Sequence, residues 1–145
     1  MRNLILLPFA FIALSSTVHA EDAPNAQTDA QTEVQRCGDG SQQQMNACMG
    51  ETYGKADARL NSVYRELIAA LENPSKLRRA QQAWLRFRDL SCDYETSGIG
   101  RDGSLYPFSF AACRLELTEK RIGELERYLA QDCNGCPPRK QLAVP

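Results

Sequence analysis

The sequence predicts an all-α fold, a disulfide-stapled three-helix bundle running up, down and up. Apolar residues recur every three or four positions in three stretches between Met45 and Leu129, which is the period of one helix face. Six cysteines follow a secretory leader, and an even count in that setting is a disulfide framework. No stretch shows the period-two alternation of a strand, and no internal repeat is present.

The leader comes first. Met1-Arg2-Asn3 precedes an apolar run from Leu4 to Leu14, and Val18 and Ala20 supply a small-x-small ending. That is the pattern of a signal peptide cleaved after Ala20. The run is too short to span a bilayer, and no cysteine follows the cleavage point, so neither a membrane span nor a lipid anchor is expected. Residues 21–36 are rich in Ala, Gln, Thr and Asp with almost no large apolar residue, and read as a flexible linker. The folded domain is expected over residues 37–136, with 137–145 as a tail.

The first helix is announced by the turn Cys37-Gly38-Asp39-Gly40 and by Ser41 with Gln44, a capping box. Its apolar positions are Met45, Met49, Tyr53, Ala56, Leu60, Val63, Leu67 and Leu71. Gly50 and Gly54 each weaken it by roughly 1 kcal/mol relative to Ala, which leaves room for a bend or break near them. Asn73-Pro74 ends it and caps the next helix. That second helix should run from about Pro74 to Glu95 with Leu77, Ala80, Trp84, Phe87, Ser91 and Tyr94 inward, and the only Trp in the core. Thr96 to Leu105 holds Gly98, Gly100 and Gly103 and is a loop. A third helix starts between Pro107 and Phe110 and ends near Gln131. Cys133-Asn134-Gly135-Cys136-Pro137-Pro138 then makes a turn that cannot continue it.

Height along the helices narrows the fifteen ways of pairing six cysteines. At about 1.5 Å per residue, Cys92 below the Pro74 turn and Cys113 below Ala130 lie level on neighbouring helices. Cys48 lies about 10 Å lower. The expected pairs are Cys92–Cys113, Cys37–Cys48 and Cys133–Cys136. The same argument puts Asp57 within a turn of Arg88, and Arg121 near Tyr64 and Trp84. Asp57, Asn61, Tyr64, Trp84, Arg88, Asp89 and Arg121 form the expected polar core, since buried polar groups must be paired.

Composition excludes several functions. Losing the leader removes Arg2 and no acid, so the formal charge moves from −1 to −2, which argues against nucleic acid. The single histidine, His19, leaves with the leader. No imidazole then remains to activate a serine or to bind a metal, so no catalytic residue, metal or cofactor is expected. Cys133-Asn134-Gly135-Cys136 resembles a redox CxxC in spelling only, because it follows a helix end, where the dipole disfavours a thiolate. The segment that looks presented is the loop, with Arg101, Asp102, Ser104, Leu105 and Tyr106 as candidate binding residues. Arg and Tyr are favoured in protein interfaces, and the Cys92–Cys113 pair would tether the loop.

A family resemblance runs from about Ser41 to Leu129. It is carried by Met45-Asn46-x-Cys48, Tyr53 and Ala56-Asp57-x-x-Leu60-Asn61-x-x-Tyr64 in the first helix. Ala80-Gln81-x-Ala83-Trp84-x-x-x-Arg88-Asp89-x-x-Cys92 follows in the second, and Cys113-x-x-x-Leu117-Thr118-x-x-Arg121-x-x-x-Leu125 in the third. These motifs resemble the LprI-like lysozyme inhibitor family, small secreted or envelope-attached bacterial domains. The resemblance implies a periplasmic or secreted protein that inhibits lysozyme or another peptidoglycan hydrolase. The alternative is a structural or adaptor protein of the periplasm with no hydrolase target. The sequence departs from the founding type by lacking a lipidation cysteine and by adding the Cys133/Cys136 clip.

Overall fold

The computed structural model describes residues 26–140; the expected leader, the start of the expected linker and the last five residues lie outside them. Among the described residues the chain is all-α, with four helices rather than three. They are α1 (Ala26–Arg36), α2 (Gln42–Ala70), α3 (Ser75–Glu95) and α4 (Tyr106–Leu129).

Helix α1 corrects the linker expectation over Ala26–Arg36. Ala and Gln are good helix formers, and the small side chain of Ala30 lets α1 lie close against its neighbours. Ala30 is buried with Cys37, Met49, Ala56, Ala111 and Leu115, and Val34 packs on the same cluster. The scarcity of large apolar residues therefore reflects close helix approach, not disorder.

Helix α2 starts where the capping box places it. The Ser41 side chain accepts from the Gln44 amide and the Gln44 side chain accepts from the Ser41 amide. No break occurs there, since α2 runs unbroken through Gly50 and Gly54. Both glycines face open space, so their weak propensity is outweighed by burial of Met49, Thr52, Ala56 and Leu60 between and beyond them. Before α3 the N-cap is Pro74, not Asn73 as expected, and it makes no side-chain cap bond; Asn73, one residue further out, accepts at Oδ1 from the Ser75 amide at 3.1 Å.

Helix α4 is the centre of the molecule and packs against each of the other three. Ala111 and Leu115 near its start meet Met49 and Ala56 of α2. Ile122 and Leu125 meet Leu60, Leu67 and Leu71, so α2 and α4 run in the same direction. Helix α3 runs the other way, with its end at Cys92 bonded to Cys113 and its early residue Gln81 bonded to Arg121. The tail is stitched to the far end of this layer. The Glu72 amide donates to the Pro138 carbonyl at 3.2 Å and the Lys140 amide to the Ala70 carbonyl at 2.9 Å. Arg139 donates to the Tyr128 and Leu129 carbonyls, satisfying the end of α4.

The inward face of α3 differs from the one expected. Gln81, Arg88 and Cys92 are its buried residues, while Trp84 and Leu77 are partly buried against the Leu60–Leu125 cluster. Phe87 and Tyr94 are 56% and 80% exposed, and Ala80 is exposed too. Helix α3 carries two stripes at helical spacing, and the polar one faces in. A rule that turns the apolar stripe inward chooses wrongly here, because two buried guanidiniums are satisfied on the other side.

Candidate functional site

The polar stripe of α3 builds a ladder of alternating cations and rings across the molecule. Arg121 of α4 lies 5.7 Å from the Trp84 ring centroid, and Arg88 lies 5.4 Å from the same ring. Arg88 also lies 5.7 Å from the Tyr53 ring, which Arg114 approaches to 4.2 Å. Arg114 continues to Phe110 at 5.5 Å, and Phe110 stacks on Tyr106 at 5.4 Å. Each such contact contributes about 0.5–2 kcal/mol, more when desolvated.

Carboxylates flank the ladder. Arg88 Nη1 donates to Asp57 Oδ1 at 3.0 Å and Nε to Asp89 Oδ1 at 2.9 Å. Asp57 also accepts from Tyr53 Oη and Asn61 Nδ2, each at 3.1 Å. The Arg88 side chain is 4% exposed, against 35% for Asp57 and 50% for Asp89. The pair expected from height is therefore one buried cation held by two solvent-facing acids. Burial works against the Arg88 charge, but the bonds to Asp89 and Asp57 outweigh it and hold its pKa above the ordinary value. Burial pushes the Tyr53 phenol up to about 12, against the pull of Arg88 and Arg114.

Arg121 is satisfied differently from the expectation. Its Nε donates to Gln81 Oε1 at 3.1 Å and its Nη1 to Glu124 at 2.7 Å. Tyr64 packs on the Leu60–Leu125 cluster and makes no hydrogen bond among the described residues. Gln81, Glu124 and Arg114 were missed in the sequence. The four-residue step from Gln81 to Leu85 and on to Arg88 could have shown Gln81 on the inward face.

The expected binding loop lies at the top of this ladder and is fastened at several points. Cys92–Cys113 closes its base with a Cα–Cα distance of 5.6 Å. Cys37–Cys48 joins the end of α1 to α2, and Cys133–Cys136 closes the turn after α4. Thr96 is buried and donates from Oγ1 to the Cys92 carbonyl at 2.7 Å. Asn46 of α2 donates to the Ser104 carbonyl at 2.9 Å. Inside the loop the Gly103 amide donates to the Gly100 carbonyl at 2.8 Å, and a Cβ at Gly103 would meet that carbonyl oxygen at 2.9 Å. The turn thus requires glycine.

The candidate residues divide. Arg101 pairs with Asp93 while its side chain stays 74% exposed, and Leu105 is 45% exposed. Asp102 and Ser104 are exposed as well. Tyr106 is the first residue of α4 and stacks on Phe110, so it braces the end of the loop. Among the described residues no cluster of His, Cys, Asp and Glu could hold a metal ion. No helix there is long and apolar enough to cross a membrane. A charged cleft of about 440 Å³ between α1, α2 and α4 is occupied with its own pairs, Arg36 with Glu33 and Arg59 with Glu119 and Glu126. The loop surface thus presents one exposed cation, Arg101, beside the exposed apolar side chain of Leu105.

An uncharacterized protein from Rhizobium meliloti (strain 1021) is 35% identical over 105 residues, covering 61% of this chain and 74% of the relative. No solved structure matches. The model of the family described as lysozyme inhibitor LprI matches residues 35–125, from the Cys37–Cys48 disulfide through the ladder to Leu125. The chain therefore belongs to the LprI family.

Proposed function

We propose that this protein is exported from the cytoplasm and inhibits lysozyme or another peptidoglycan hydrolase by inserting the Thr96–Leu105 loop into the substrate cleft. Family membership supports inhibition as the activity. The observation that carries the loop assignment is its fastening by Cys92–Cys113 and by Asn46. A segment already ordered loses less conformational entropy on binding. Glycoside-cleaving clefts carry a pair of carboxyl groups in a groove shaped for a sugar chain. Arg101 supplies a guanidinium to pair with such an acid, exchanging Asp93 for it, and Leu105 supplies apolar contact where a sugar ring would lie.

The test is a titration of lysozyme activity with the purified, disulfide-bonded protein, which should show saturable, stoichiometric loss. Arg101→Ala with Leu105→Ala should weaken inhibition by about a hundredfold, the loss expected when a pair of central contacts is removed. Helicity and melting temperature should stay unchanged. Tyr106→Ala is a poor probe because it also breaks the stack on Phe110. Wild-type potency in the Arg101/Leu105 variant would move the contact to a helical face, and no inhibition of any peptidoglycan hydrolase would favour the adaptor reading.

A further inference from the structure

The outer face of α3 carries an apolar stripe that the ladder and the loop do not use. Ala80, Ala83, Phe87, Leu90 and Tyr94 are all exposed, with Leu90 at 70%. Their spacings of three, four, three and four make two heptads with each residue at a seam position, the pattern of a helix that packs on another helix. A contiguous apolar patch of this kind on a surface marks an interaction site.

The stripe is asymmetric along its length in both size and charge. Its first half holds the small residues Ala80 and Ala83 and its second half the large ones, Leu90 and Tyr94. Lys76 and Arg79 flank the first half and Arg86 the middle; none of the three has an ion pair among the described residues. Asp93 flanks the second half, 42% exposed and paired on one side only, with Arg101. A face with small and cationic at one end, large and anionic at the other, is complementary to itself when turned end for end. From this we infer that the protein forms a two-fold symmetric dimer through antiparallel packing of α3 on α3 of a second copy. In the register that fits, Ala83 lies opposite Phe87 of the second copy and Ala80 opposite its Leu90. Arg79 of each copy reaches Asp93 of the other, Lys76 lies over the opposing Tyr94, and the two copies' Arg86 side chains lie side by side in water. Two-fold closure satisfies both halves of the stripe at once and leaves no open edge.

Sedimentation velocity over a concentration series tests the assignment on the purified, disulfide-bonded protein. A monomer–dimer equilibrium is expected, and Phe87→Asp should weaken it by about a hundredfold or more because each dimer loses two central rings. Arg79→Asp alone and Asp93→Arg alone should each weaken it by about tenfold, and the double exchange should restore it, since the pair is reversed but intact. Phe87 and Arg79 are exposed, so circular dichroism should show all variants folded. A dimer indifferent to Phe87→Asp, or charge effects that merely add in the double variant, would overturn the assignment. So would a protein that stays monomeric at the highest concentration reached. A monomer that instead floats with phosphatidylglycerol vesicles would assign the cations and rings to an anionic membrane surface.

Discussion

Arg88 touches more of the molecule's polar interior than any other side chain described above. It lies between two rings and donates to two acids on different helices, α2 and α3. Its acids are open to water, so the two halves of the pair are unequal. Arg88→Ala should cost about 3 kcal/mol, the lower end for removing a partner from a buried pair, because Asp57 and Asp89 can rehydrate. Asp57→Asn should cost about 1 kcal/mol, since Asp89 still holds the guanidinium. A double-mutant cycle by urea denaturation should give a coupling of about 1 kcal/mol, and strict additivity would show that Asp57 and Arg88 act separately. The contact of Asp57 with Arg88 was legible from counting residues up two helices. The identity of the inward stripe was not. Buried arginines read as surface residues in a periodicity argument, and only the arrangement of Gln81, Glu124 and Asp89 around them shows that they are satisfied.

At the scale of helices, α1 and its cleft set a pH dependence. Burial raises the Glu119 pKa above 4.5, only partly offset by Arg59. A raised carboxyl pKa means that the folded protein holds its proton more tightly than the unfolded chain does. The charged form at neutral pH is thus a cost, and that cost is relieved as pH falls through the folded value. Glu119→Gln should melt higher than wild type at pH 7, with the gap closing as pH drops toward 4.5. A constant gap across that range would mean that lost packing and not charge controls the change. The ends of α2, α3 and α4 were readable from Ser41, Gln44, Asn73 and Pro107, each a local signal. Helix α1 had none of these, because its packing depends on the narrowness of Ala30, and that matters only once α4 lies beside it.

On the scale of the whole molecule, disulfides and tail hold the periphery while α4 holds the centre. The Cys92–Cys113 loop stabilises by about 3 kcal/mol on the chain-entropy view. The cysteine pairs followed from helix heights, since the rise per residue is fixed by backbone geometry. The stitch of residues 138–140 to the end of α2 had no such ruler, because a single isolated bridge leaves no periodic trace. The central position of α4 also has a consequence in time. Of the described helices it is the last to leave the ribosome, and the faces of α1, α2 and α3 that pack on it all wait for it. A fragment ending at Leu105 should show helical signal by circular dichroism but no cooperative melt. A sharp transition in that fragment would mean that the first three helices form a folding unit of their own. Until α4 is made, the helices before it lack the element they collapse onto, so a chain exported as proposed above stays threadable through a narrow translocation pore.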